Sequence, residues 1–116
     1  MVKAADTRTW TAKHCFARIS PRKARLVADL VRHRRVGEAL DVLKFTRKRA
    51  STFVVNTLKS AMANADEDEA DMGRLYIQEV RVDNGPIIKR WRPKDRGRAH
   101  PINKRTSHIV IKVREM

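Results

Sequence analysis

The sequence is poor in the residues that staple or punctuate a small fold. Cys15 is the one cysteine in 116 residues, which excludes an intrachain disulfide and a thiolate metal cluster. As a lone thiol it is expected to be a small, partly buried filler. The four glycines, Gly37, Gly73, Gly85 and Gly97, are too dispersed to form a phosphate-cradling loop. His14, His33, His100 and His108 are equally scattered, with no metal-binding pair at helical spacing and no triad with a neighbouring acid. Each is expected to serve as a structural or phosphate-side hydrogen-bond donor, and no catalytic residue, metal or cofactor is expected. No apolar run approaches the ~18 residues of a membrane span, and the opening MVKAADTRTW lacks the apolar segment of a signal peptide. A cytoplasmic or equivalent location with no membrane partner is therefore expected.

Acid is scarce as well. Thirteen Asp and Glu face 27 Lys and Arg, a formal net charge of +14, far beyond what solubility requires. A large polyanionic partner is the economical reading. Hydrophobic residues make up 41%, enough for a small core, and the length suits a single domain. The charge is divided along the chain: residues 1–65 carry a net of +11, residues 66–84 a net of −5, and residues 85–116 a net of +8. Two basic surfaces separated by an acidic connection follow. The acidic run ADEDEAD, Ala65 to Asp71, fails as a calcium loop: Asp71 stands where glycine is needed, and Ile77 where the closing Glu belongs. It reads as a solvated loop after a helix.

Ser20-Pro21 signals a helix start, with Ser as N-cap and Pro at the first helical position, and the helix should run to about His33. Ala24, Val27 and Val31, with Leu26 and Leu30 beside them, form its apolar stripe. Arg22, Lys23 and Arg25, with Arg18 just upstream, supply a basic face. A short second helix is expected from Gly37 to Phe45. The clearest periodicity is Ala50, Phe53, Val54, Thr57, Leu58, Ala61, Met62 and Ala65, one face of a long core helix. Arg47, Lys48 and Arg49 at its start oppose the macrodipole, so an external phosphate there relieves a local penalty.

After Gly73 the pattern turns to β. Leu75 to Val82 and Ser107 to Val113 read as antiparallel strands, with Ile109, Ile111 and Val113 on one face. Between them, from Asp83 to Thr106, lie Lys89, Arg90, Arg92, Lys94, Arg96, Arg98, Lys104 and Arg105, with Asp95 as the acid among them and almost nothing to form a core. Strands continuing to a tip near Arg92 and Pro93 give an arm of roughly 55 Å at ~3.3 Å per residue, so it must project from a globule whose radius of gyration is only ~13 Å. An isolated two-stranded hairpin is marginal in water, and such an arm makes sense when a polyanion surrounds it. Guanidinium groups beside Trp91 suit RNA, by phosphate pairing and by stacking on an unpaired base. The expected fold class is α+β: about three helices packed on an antiparallel sheet (residues 1–82 and 107–116) with a long protruding basic β-hairpin (residues 83–106).

Four segments resemble the bacterial and organellar large-subunit ribosomal protein L-twenty-two family: ARISPRKARLVADLVR from Ala17, KSAMANA from Lys59, VDNGPIIKRWRP from Val82 and GRAHPINKRTSHIVI from Gly97. They stand in the family's order and spacing, and SPRKARLV together with KRTSHI is highly specific. The resemblance implies a structural protein seated on large-subunit ribosomal RNA, aiding assembly, beside neighbouring ribosomal proteins and not as a homo-oligomer. It places the protein on cytoplasmic ribosomes, or in an organellar matrix or stroma. It also implies that the hairpin reaches the nascent-polypeptide exit tunnel, where macrolides bind close by. The tunnel tip then corresponds to Ile88, Lys89, Arg90, Trp91, Arg92, Pro93 and Lys94, and the RNA-facing cations to Arg96, Arg98, Lys104 and Arg105. Asp95 departs from the family's small residue, and pairing with Arg92 or Arg96 would orient an arginine. Trp91 and Arg92 replace smaller residues, so neither the tunnel constriction nor the drug response need be identical.

Two other classes compete. A DNA-bending architectural protein also uses a basic β-arm, but with an apolar wedge at its end and usually as a dimer. A small nuclease would need paired carboxylates or a metal constellation that the sequence does not offer.

Overall fold

The longest periodic run makes the longest helix. In the computed structural model, which describes residues 8–93 and 95–115, helix α3 spans Arg49–Glu67 and buries Ala50, Val54, Thr57, Leu58, Ala61 and Ala65. Phe53 and Met62 flank that stripe, half-buried against the core. The helix ends in a Schellman turn: the Glu69 amide donates to the Asp66 carbonyl (3.0 Å), the Ala70 amide to that of Ala65 (3.1 Å), and Glu69 takes φ 57° where glycine is usual. Helix α1, Pro21–Val31, starts at Ser20-Pro21 as expected, and α2 occupies Val36–Phe45.

Strands β1 (Thr9–Ala17), β2 (Leu75–Asn84) and β5 (Ser107–Glu115) form an antiparallel sheet in the order β1-β5-β2. Ile109, Ile111 and Val113 of β5 alternate into the core as the β pattern predicts, whereas in β2 a register shift between Ile77 and Glu79 separates the inward pair Leu75 and Ile77 from the inward pair Val80 and Val82. Helix α3 packs on β1 and β5, and α1 on β2, so the helices cover one face of this α+β head. Strand β1 was not legible in the sequence. Its inward positions, Trp10, Ala12 and His14, include a helix-forming alanine and a histidine, so the hydrophobic alternation is faint.

Two expectations are corrected here. Cys15 is exposed, because it follows Thr11 and Lys13 on the face of β1 opposite Trp10 and Ala12. Leu26 and Leu30 are 55% and 39% exposed, since Ala24, Val27, Ala28 and Val31 complete the buried stripe and a position one residue away is turned by about 100°.

The outer edge of β2 is sealed by α1 and the segment after it. The Arg25 guanidinium donates to the Val82 carbonyl (3.0 Å), Arg32 to that of Val80 (2.9 Å), and the Ile77 amide to the carbonyl of Arg34 (2.8 Å). Unpaired strand edges invite foreign pairing, and here arginines occupy the acceptors.

Beyond the head, β3 (Ile88–Pro93) and β4 (Ala99–Lys104) form a separate two-stranded sheet in register from Ile88↔Lys104 to Pro93↔Ala99. The molecule measures 73 × 28 × 20 Å with a radius of gyration of 17.7 Å, well above the ~13 Å of a globule this size. The turn falls at Asp95–Gly97, with Arg96 and Gly97 at φ 65° and 70°. The end of the arm is therefore later in the chain than Arg92 and Pro93, because Pro93 still pairs with Ala99 and the left-handed geometry that reverses the chain waits for Gly97. Lys94 and the side-chain pairing expected for Asp95 lie outside the described residues.

Candidate nucleic-acid interface

Gly85, Pro86 and Ile87 interrupt the ribbon between β2 and β3, and a knuckle fixes the arm's departure. The Gly85 amide donates to the Thr106 carbonyl (2.9 Å), and the buried Thr106 hydroxyl donates to the Pro86 carbonyl (2.5 Å). A β-carbon on Gly85 would stand 2.5 Å from the Thr106 Oγ1, so only glycine permits this approach. One residue on, the Ser107 hydroxyl donates to the Ile19 carbonyl (2.5 Å), tying the root of the arm to the segment that leads into α1.

That tie brings together cations that the sequence scatters. A groove of about 870 Å³ opens between the start of α1, the start of α3 and the base of the arm. Arg18 and Lys23 line one wall, Lys48 and Arg49 another, and Arg90, Lys104 and Arg105 the arm side; no acid joins these seven. Neither α1 nor α3 has an acidic residue in its first turn, and neither N-cap side chain, Ser20 or Lys48, closes on the helix, so both positive helix ends stay uncompensated. Ile19, Leu26 and Ile88 give the groove an apolar floor and rim. Leu26, read from the sequence as core, is thereby explained as part of this concave surface.

Other expected residues are placed differently. Arg22 is exposed on α1, and Arg47 borders a shallower depression between the end of α2 and the start of α3 that shares Lys48 and Arg49 with the groove. Arg25 is a strut, reaching the Val82 carbonyl and, at 3.4 Å, Asn84. Lys89, Arg92, Arg96 and Arg98 stand exposed along the arm. Ile88 and Arg90, expected at the tip, line the groove instead, Ile88 at the start of β3 and Arg90 within it.

The negative end of the molecule is organised as well. The Trp10 indole donates to Asp68 (2.6 Å), and the guanidinium of Arg8 donates to the Asp68 carbonyl (2.7 Å) while lying 5.3 Å over the Trp10 ring. Arg8 also pairs with Glu115 (3.1 Å), which accepts from the Asp71 amide (2.9 Å). That amide, with Arg8 behind it, holds the Glu115 carboxyl below its ordinary range. The acidic run is not wholly a loop after the helix: Ala65, Asp66 and Glu67 form the last turn of α3, and Asp68, its C-cap, is bound rather than merely solvated. Helix α3 consequently runs from a cationic end at the groove to an acidic end at β1. Among the described residues no cluster of three or more His, Cys, Asp or Glu could hold a metal ion.

Fold and groove together define a small, strongly basic α+β protein with a projecting hairpin arm. The chain belongs to the ribosomal protein L22p/L17e family, whose profile matches residues 12–114. It is 54% identical to the large ribosomal subunit protein uL22 of Rubrobacter xylanophilus over 84% of this chain and 78% of the relative. It is 48% identical to that of Caldicellulosiruptor saccharolyticus over 99% of this chain and 98% of the relative, and 52% identical to that of Syntrophobacter fumaroxidans over 83% and 88%. Membership makes it a large-subunit ribosomal protein, a ribonucleoprotein component of translation.

Proposed function

We propose that the protein binds large-subunit ribosomal RNA through the groove and the arm, supports subunit assembly without catalysing a reaction, and lines the nascent-chain exit tunnel with the outer part of its hairpin. The observation that carries the RNA reading is the convergence of seven cations from four separated stretches of the chain on one acid-free groove at the root of an unsupported cationic arm. Such a surface repels itself until phosphates neutralise it. The family supplies the setting, the ribosome in the cytoplasm, with neighbouring ribosomal proteins as further partners. The tunnel role is what the family resemblance implies, and an arm that projects from the head and turns at Asp95–Gly97 suits it.

The test is the salt dependence of binding to large-subunit ribosomal RNA. Log K should fall by ~0.9 per duplex phosphate contact, and ~0.7 per single-strand contact, for each tenfold rise in salt. Replacing Arg96, Arg98 and Arg105 together by Ala should flatten that slope while leaving the melting temperature of the head in place. An unchanged slope would remove the arm from the binding surface. For the tunnel, a photo-crosslinker installed at Arg96 should capture a stalled nascent chain on intact ribosomes, and capture of ribosomal RNA alone would argue against it.

A further inference from the structure

The two faces of the arm are chemically different. Opposed residues of an antiparallel pair share a face, and successive residues alternate. Arg90, Arg92, His100 and Lys104 therefore share one face with the half-buried Ile88 and Ile102, and this is the face that continues the groove. The opposite face centres on Trp91, which is 68% exposed and pairs with Pro101. Its neighbours along the ribbon are the pair Pro93 and Ala99 on the outer side and Lys89 and Asn103 on the inner side, all exposed.

We infer that Trp91 and Pro101 form a stacking platform for a single unpaired RNA base, so that the arm holds phosphates on one face and reads an extruded nucleotide on the other. The inference rests on the RNA-binding reading above. Burial of an aromatic ring of this size is favourable, yet in the free chain Trp91 is left 68% exposed. Pro93, Pro101 and Ala99 are short or flat, so they leave the indole face open to a planar ligand. Lys89 and Asn103 flank the platform with a cation for the adjoining phosphate and an amide able to hydrogen-bond a base edge. The cations on both sides of the ribbon favour a base carried on a polyanion over an apolar patch of protein. An aromatic face with adjacent positive charge is how proteins hold unstacked bases.

Trp91 is also its own reporter, because the other tryptophan, Trp10, is buried and hydrogen-bonded to Asp68. The full chain is titrated with three RNAs: a 12-base-pair stem carrying one bulged adenosine, the same stem with an abasic bulge, and the uninterrupted stem. The bulged adenosine is expected to quench indole emission in the native chain and not in Trp91→Phe, whereas the abasic bulge leaves emission unchanged. Trp91→Ala should lose roughly five- to a hundredfold in affinity for the adenosine bulge, and Trp91→Phe should recover most of it. Unchanged affinity of Trp91→Ala for the uninterrupted stem would show that the basic face, and hence the arm, is intact. Three results would overturn the platform: equal binding of all three RNAs by native and Trp91→Ala chains, quenching by the base-free polyanion heparin, or quenching by an apolar peptide and not by RNA. The first of these leaves the general RNA reading standing, while failure of every RNA to bind would overturn both.

Discussion

Head and arm are built from opposite materials. The head buries Leu58, Leu75, Ile77, Ile109 and Ile111 essentially completely, whereas β3 and β4 have only Ile88 and Ile102 even half-buried. The head carries its own folding information, because its helices and its sheet each supply an apolar face for the other. The arm has backbone pairing and charge, and a two-stranded ribbon with nothing packed on it is marginal in water. One region is stabilised by what it contains and the other by what it meets, so damage to each should be read by a different measurement.

The strongest way to break this contrast is to remove head packing. Leu58→Ala should cost ~2 to 5 kcal/mol, through lost transfer energy and the cavity left on a fully buried stripe. Urea unfolding should show it as a lower midpoint with an unchanged slope. An unaltered midpoint would mean that α3 is not the central packing element.

The joint between the regions comes next. Gly85→Ala places a methyl group 2.5 Å from the Thr106 hydroxyl and 3.2 Å from the Thr106 backbone, so the hydroxyl must leave the Pro86 carbonyl and the two strands must part. A cost of ~1 to 3 kcal/mol is expected from such overpacking. Small-angle scattering should report a shift away from the 73 Å long dimension as the arm loses its fixed departure. Unchanged melting and scattering together would show that something other than this knuckle sets the arm's direction.

What the sequence disclosed and what it hid divide along the same line. Signals confined to one element were legible: Ser20-Pro21 at the start of α1, the eight-residue stripe of α3, and the branched residues of β2 and β5. The arm was legible as a stretch that could form no core. Properties created by tertiary approach were not. Arg18, Lys48 and Arg105 are far apart in the chain, and their shared groove depends on Ser107 holding Ile19 and on Thr106 holding Pro86. Arg25 looked like any other cation of α1 until β2 supplied the Val82 carbonyl. The turn was expected near Arg92 and Pro93, but a proline can sit within a strand of a ribbon with open edges, and Gly97 was the better signal.

The smallest expected effect lies at the acidic end of the head, and it distinguishes a structural carboxylate from those that merely offset charge. Glu115 accepts from the Asp71 amide and pairs with Arg8, and both contacts favour its ionised form. Its carboxyl therefore titrates below the ordinary value of 4.5 in the folded chain. A group whose folded pKa is depressed stabilises the fold above its unfolded pKa, and that contribution is lost as pH falls toward the folded value. The melting temperature of the native chain should thus fall more steeply below about pH 5 than that of Glu115→Gln, with the two converging once both states are protonated. The site is solvent-exposed, so the difference should be slight and should shrink with salt. Parallel curves would mean that Arg8 and the Asp71 amide close the head without drawing on the charge of Glu115, leaving the electrostatic asymmetry of the molecule to the groove alone.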